Sequence, residues 1–212
     1  MKMAKFGLLV NVDACIGCQA CFVACKEENQ TAPGVVWNRI KRIEDLKARV
    51  INYFRVSCQH CDDPACMKVC PVKAIRKGQF GEVLVDDQKC IACHMCEKAC
   101  PYGAPMFADP NAAKGYWPDK PAIAERIFAP HQTRKIGRAE HCTLCSHRLA
   151  AGQQPACVEH CPTGALRLVD CESDAAWLKA QSAGKEAMQT KPAVRYLSTY
   201  VDFGHVDLKT YQ

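Results

Sequence analysis

Sixteen of the seventeen cysteines in this 212-residue chain fall into four groups of four. Cys15, Cys18, Cys21 and Cys25 form the first, and Cys58, Cys61, Cys66 and Cys70 the second. Cys90, Cys93, Cys96 and Cys100 form the third, and Cys142, Cys145, Cys157 and Cys161 the fourth. Pro71, Pro101 and Pro162 directly follow the last cysteine of groups two, three and four. Thiolates are soft ligands suited to iron. Groups one and three have the spacing C-x2-C-x2-C-x3-C, in which short gaps bring three thiolates from one tight loop onto a cuboidal [4Fe–4S] cluster. The fourth cysteine of such a run goes to a different cluster, and it is expected to begin a helix between the two. Groups two and four keep the closing x3-C-P and lengthen the gap before the third cysteine, with Asp62 to Ala65 in one and Ser146 to Ala156 in the other. Their first three thiols can still meet across a wider loop. The expectation is four [4Fe–4S] clusters on these sixteen iron ligands.

Two other chemistries use this many cysteines. A disulfide framework needs an oxidising compartment and usually a secretory signal. The N-terminus has a short apolar run interrupted by Asn11, no small-residue cleavage site and no twin arginine. Zinc accounts for isolated C-x2-C pairs but not for four complete quartets with Cys-Pro endings. The formal charge of +6 suggests nucleic acid. However, an oxidised cluster with four thiolates carries roughly −2, so four of them bring the loaded chain to roughly −2. The basic surplus is then largely internal compensation, and with neither a basic run nor a recognition motif no nucleic-acid partner is expected. No apolar stretch reaches the length of a membrane span.

The groups are also internal repeats. Cys15-Ile16-Gly17-Cys18 parallels Cys90-Ile91-Ala92-Cys93, and Pro64-Ala65-Cys66 parallels Pro155-Ala156-Cys157. The pattern is that of a duplicated two-cluster ferredoxin, an α+β chain of two ferredoxin-like lobes with short strands, short helices and long loops. Cys171 lies outside the quartets and reads as a small buried thiol. His60, His94, His141, His147 and His160 lie in or beside the groups. Because every quartet is full, supporting or surface roles are expected of them.

Strands are expected over 6–12 and 82–85, leading into the ferredoxin loops. A hairpin is expected from 35–43 and 49–56, turning at 44–47. Residues 106–138 carry Pro110, Pro118, Pro121 and Pro130 together with Phe107, Tyr116, Trp117 and Phe128, which reads as a partner-contact loop. Ser173 is expected to cap a helix running to about 188, stopped by Pro192, with 194–201 extended. Tyr200, Phe203 and Tyr211 in the tail suit docking on a partner or packing on their own domain. Nothing resembles a nucleotide fingerprint, a P-loop or a nucleophile with its base. No catalytic residue is expected, and the chain reads as an electron carrier.

The phrases Cys15-Ile16-Gly17-Cys18-Gln19-Ala20-Cys21, Cys58-Gln59-His60-Cys61, Cys100-Pro101-Tyr102-Gly103-Ala104 and His141-Cys142-Thr143-Leu144-Cys145 carry a resemblance over residues 6–170. The chain resembles the iron–sulfur subunits of dimethyl sulfoxide reductase-type complexes, including polysulfide and arsenate respiratory reductases. Repeat order alone equally allows groups one with two and three with four. The resemblance implies nested pairing instead. Cys15, Cys18, Cys21 and Cys161 would hold one cluster, and Cys142, Cys145, Cys157 and Cys25 the next. Cys58, Cys61, Cys66 and Cys100 would hold another, and Cys90, Cys93, Cys96 and Cys70 the last. The implied organisation joins 1–28 with 139–170 as one lobe and makes 58–105 the other. An inserted hairpin at 29–57, the loop at 106–138, and a C-terminal helix and docking tail at 171–212 complete it. The implied partners are a large catalytic subunit carrying a molybdenum or tungsten bis-pterin and a quinone-reactive membrane subunit or soluble carrier. The implied location is cytoplasmic, or periplasmic by export with a signal-bearing partner. A free polyferredoxin or a hydrogenase- or formate-lyase-type carrier is the alternative.

Overall fold

The computed structural model describes residues 4–31, 34–45, 49–109, 137–184 and 187–211. Most of the loop expected at 106–138 lies outside them. The fold is a mixed one built from short helices and strands. Its central strand, β1 (Phe6–Asn11), buries Leu8, Leu9 and Val10 on both faces. A continuous apolar run suits a strand with neighbours on either side. Those neighbours are β8 (Leu166–Asp170), antiparallel from Phe6↔Asp170 to Val10↔Leu166, and β9 (Val194–Leu197), parallel from Leu8↔Val194. The sheet therefore joins the start of the chain to the segments that follow the last cysteine group.

Strands β2 (Asn38–Asp45) and β3 (Val50–Ser57) pair antiparallel over eight positions, the hairpin expected between groups one and two. The inner end of β3 is buried on both faces, and burial continues through Cys58, Gln59 and His60. Phe54 meets Tyr196 and Phe203 edge-on at 6.3 and 5.3 Å, while Tyr196 and Phe203 stack at 4.5 Å. Burying an aromatic side chain of this size contributes roughly 2 kcal/mol. Phe203 is thus part of the chain's own core and is not available for docking, whereas Tyr200 is exposed.

The remaining elements frame the cysteines. Helix α1 (Ala20–Asn29) packs on α5 (Ala156–Glu159), and α2 (Ala65–Lys68) packs on α3 (Met95–Ala99). Strands β4 (Ile75–Lys77) and β5 (Val83–Val85) form a hairpin after α2. Strands β6 (Met106–Phe107) and β7 (Ala139–Glu140) form the stem from which the long loop leaves and to which it returns. Helix α4 (Ser146–Ala150) occupies the wide gap of group four.

Two expectations about helices change. Asp174, not Ser173, caps α6 (Ala175–Lys179), its side chain accepting from the Trp177 N–H. That helix stops at Ala180, because the backbone of Gln181 turns to exchange hydrogen bonds with Tyr196. A separate turn, α7 (Ala187–Thr190), follows before Pro192. The fourth cysteines also do not begin helices: Cys25 lies within α1, and Cys70, Cys100 and Cys161 lie just beyond the ends of α2, α3 and α5. Proline supplies the reason for the last three, since it disfavours helical backbone at the residue before it. Cys100, before Pro101, is extended at φ −75° and ψ 116°.

Candidate metal-cluster sites

The cysteine loops use left-handed backbone at matching places. Gln19 and Gly17 in group one, and His94 and Ala92 in group three, all have positive φ. In this conformation successive N–H groups turn inward and form an anion-binding concavity. The Ala92 N–H donates to Cys90 Sγ at 3.5 Å. Gly17 faces the Tyr53 ring, where an added Cβ would lie 2.7 Å away, so the loop passes under Tyr53 only without a side chain. In the other two groups Pro64 and Pro155 stand just before α2 and α5, which places Cys66 and Cys157 in the first helical turn.

The Cys-Pro endings form a second repeated device. After Cys70 and Cys100 the chain turns through left-handed Lys73 and Gly103, and the N–H of Ala74 or Ala104 comes back to the sulfur at 3.2 or 3.4 Å. Cys142 accepts from the Leu144 N–H at 3.4 Å, and Cys58 from the His60 N–H at 3.5 Å. Hydrogen bonds of this kind favour the charged form of an acceptor sulfur.

These loops enclose four cavities, each lined by four cysteines from two groups. Cavity I holds Cys15, Cys18, Cys21 and Cys161. Cavity II holds Cys142, Cys145, Cys157 and Cys25. Cavity III holds Cys58, Cys61, Cys66 and Cys100, and cavity IV holds Cys90, Cys93, Cys96 and Cys70. Each is partly open, and together with the adjoining solvent the unfilled space at them is about 340, 290, 340 and 330 Å³ in that order. All the cysteines of II and III are buried, whereas Cys18 of I and Cys93 of IV are exposed. Next to those two, Ile16 and Ile91 are 62% and 54% exposed.

Charges in neighbouring cavities lie within reach of one another. Charge on Cys21 of I bears on Cys157 of II, charge on Cys142 of II on Cys58 of III, and charge on Cys96 of IV on Cys66 of III. Cys25, Cys142 and Cys58 also share one packed cluster beneath Trp37. Burial pushes the thiols of Cys61, Cys66 and Cys157 up to about 12, and those of Cys96 and Cys145 to about 11. Burial also holds Cys25 and Cys58 well above the usual thiol value, with neighbouring thiolates adding to it. Ionising four such thiols together requires a cation among them. Soft donors, four to a cavity, with hydrogen bonds to sulfur and apolar walls, fit a [4Fe–4S] cluster.

Cations stand close by. The Lys77 Nζ donates to the Cys61 carbonyl at 2.7 Å, and the Lys26 Nζ to the Val35 carbonyl at 3.1 Å. Sequence reasoning missed Arg55, which is 1% exposed and lines both I and II. The strand pattern places it on the polar side of a hairpin. The available signal was a basic residue in a strand that runs straight into Cys58. His60 and His141 are buried with ring centroids 6.5 Å apart, and His141 lines cavity III. Burial lowers the pKa of both. His94 and His147 bond instead to Glu97 and Glu28. Cys171 is buried in the core with Leu9 and Trp177, outside every cavity.

The pattern of the 4Fe-4S dicluster domain matches residues 49–115 and 127–171. The chain is 34% identical over 187 residues to a putative dimethyl sulfoxide reductase iron-sulfur subunit of Halobacterium salinarum, covering 81% of this chain and 68% of that one. It is 38% identical to a probable anaerobic dimethyl sulfoxide reductase chain of Escherichia coli, covering 76% and 72%. It is 31% identical to the arsenate respiratory reductase iron-sulfur subunit of Shewanella sp., covering 89% and 91%. The four thiolate cavities and the dicluster pattern define an iron–sulfur electron-transfer protein carrying 4Fe-4S clusters. The chain belongs to the family of iron–sulfur subunits of dimethyl sulfoxide reductase-type complexes.

Proposed function

We propose that the chain holds four [4Fe–4S] clusters, one in each cavity, and conducts electrons along them in the order I, II, III, IV. The ligand sets are the four cysteines lining each cavity. The observation that carries this reading is that each cavity receives three thiols from one group and one from another. Each cluster supplies one-electron exchange without a proton or a substrate site. The protein's own part is to bury the cysteines of II and III, limiting water there, and to leave one cysteine exposed at each end. The crossings of Cys25 with Cys161 and of Cys70 with Cys100 support two lobes of two clusters, built from groups one and four and from groups two and three.

The chain by itself is non-catalytic. Its partner is a large catalytic subunit carrying a molybdenum or tungsten bis-pterin, docked at the cavity I end. A quinone-reactive membrane subunit or a soluble carrier meets the cavity IV end. Any membrane association is assigned to that partner; no described helix is long and apolar enough to cross a bilayer. The complex works in the cytoplasm, or in the periplasm after export with a signal-bearing partner.

Anaerobic purification tests the reading. The expected product is brown, with about sixteen iron and sixteen sulfide per chain, and co-elutes with a large pterin-containing chain. A colourless protein with stoichiometric zinc would overturn the cluster assignment. Brown protein eluting as a lone monomer from its native host would favour a free polyferredoxin.

A further inference from the structure

Arg55 is a buried cation placed between two cavities built for anions. Arg55 lines cavities I and II together. Nη2 donates to Cys142 Sγ at 3.7 Å and Nη1 donates to Ser57 Oγ, while Nε has no hydrogen-bond partner among the described residues. No described carboxylate pairs with it. The thiols that share these linings with it are the four of cavity II and the four of cavity I. A buried cation left without an anion is strongly unfavourable. The anions that balance Arg55 are therefore the iron–thiolate units on its two sides, each carrying roughly −2 when oxidised.

We infer that Arg55 is a shared electrostatic positioning residue that raises the reduction potentials of the two clusters in cavities I and II together. The inference rests on the ligand sets proposed above. Reducing a cluster by one electron adds one negative charge to its unit and moves no proton. A fixed positive charge beside it stabilises the reduced form more than the oxidised one. Burial strengthens the effect, because little water screens it. One charge beside two cavities acts on both, and the two contributions add: it raises each potential whatever the state of the neighbour, while repulsion between the two reduced units lowers the second. Cavities III and IV are not lined by Arg55.

Asn29 supplies the contrast. Its side-chain amide donates to Cys25 Sγ at 3.6 Å and to Cys145 Sγ at 3.9 Å, both in cavity II. It carries no charge, and both of these sulfurs belong to one quartet.

The test is a redox titration of the full chain in its complex, followed by EPR, for Arg55→Gln, Arg55→Met, Arg55→Lys and Asn29→Leu. Dithionite supplies the electrons. Iron content is measured on every sample. In the two neutral variants, two of the four midpoint potentials are expected to fall by at least about 59 mV each, a tenfold change in the one-electron equilibrium. The other two stay in place. Arg55→Lys keeps the charge and shifts both far less, and Asn29→Leu shifts one signal only. Four intact clusters with no pair displaced, or with all four displaced alike, would overturn the inference. A wild-type protein lacking four clusters would instead sink the ligand assignment beneath it. If the neutral variants lose iron, wild-type protein labelled with 15N-arginine decides. A nitrogen coupling on two cluster signals, lost in Arg55→Lys, supports the shared residue, and its absence overturns it.

Discussion

The hydroxyl of Tyr196 donates to the backbone carbonyl of Arg55 at 3.1 Å. Strand β9 thereby reaches across the core to hold the segment of β3 that stands between two cavities. The same hydroxyl accepts from the Gln59 side chain at 3.3 Å, next to Cys58. Tyr196→Phe removes both bonds in a buried setting, a loss of about 1–3 kcal/mol. Thermal unfolding under anaerobic conditions checks it, with Tyr196→Ala expected to cost more, about 3–5 kcal/mol.

Gly17 and Tyr53 make a second close relationship. At φ +70° and with the ring where a Cβ would stand, Gly17→Ala meets both backbone strain and a clash. Left-handed backbone alone costs roughly 1–2 kcal/mol for a residue with a Cβ. The variant is expected to lose stability by at least that much and to load cavity I poorly, seen as about a quarter less iron. Gly17→Ala combined with Tyr53→Ala relieves the clash and recovers part of the loss.

Lys73 occupies the left-handed position of a Cys-Pro turn at φ +50°, where the corresponding turns have Gly103 and Gly164. Lys73→Gly removes the strain at some entropic cost in the unfolded chain. A net gain of about 0.5–1 kcal/mol is expected, read as a higher melting temperature with iron content unchanged.

The crossed cysteines make distinguishable variants. Cys25→Ser is expected to alter the EPR signal that Cys142→Ser alters, and to spare the one governed by Cys15. Cys100→Ser is expected to act with Cys58→Ser, not with Cys90→Ser. Variants that instead sort by sequence group would return the assignment to the pairing within groups.

Glu28 clamps α1 to α4, its carboxylate accepting from His147 Nε2 at 2.7 Å and Arg148 Nη1 at 2.8 Å. Burial pushes its carboxyl up, but the bonds from His147 and Arg148 outweigh this and hold it below the usual range. Glu28→Ala is expected to cost about 1–2 kcal/mol, discounted for partial exposure. Because the folded-state pKa is depressed, that contribution is full above the unfolded value near 4.3 and disappears as pH falls through the folded one. Denaturant unfolding of wild type and variant at pH 7 and stepwise below about pH 4, through the folded-state titration, checks the convergence.

Local features are legible in the residues. The apolar run at Leu8 to Val10 and the turn between Ile43 and Arg49 announce β1 and the β2–β3 hairpin. The helix at Ala175 is shorter than its local pattern suggests because Gln181 takes a long-range backbone partner, Tyr196, which propensity does not see. Arg55 is hidden for a similar reason. A basic residue in a strand ordinarily faces water, and only the cavities on either side make burial favourable.

Cysteine spacing by itself determined which sixteen side chains serve as candidate iron ligands and that they come in quartets, because two-residue gaps constrain thiols within one turn of backbone. It did not determine which quartet shares a cavity. Repeat order fits pairing by neighbours or by nesting, and a chain of thiols has no local preference between them. The tertiary structure brings Cys25 to Cys142 and Cys70 to Cys90, because β1 pairs with β8 and draws the two ends of the cysteine sequence together, while α2 packs on α3. The burial of one arginine between two of the resulting cavities was likewise decided there, where long-range packing sets the dielectric and the neighbouring charges.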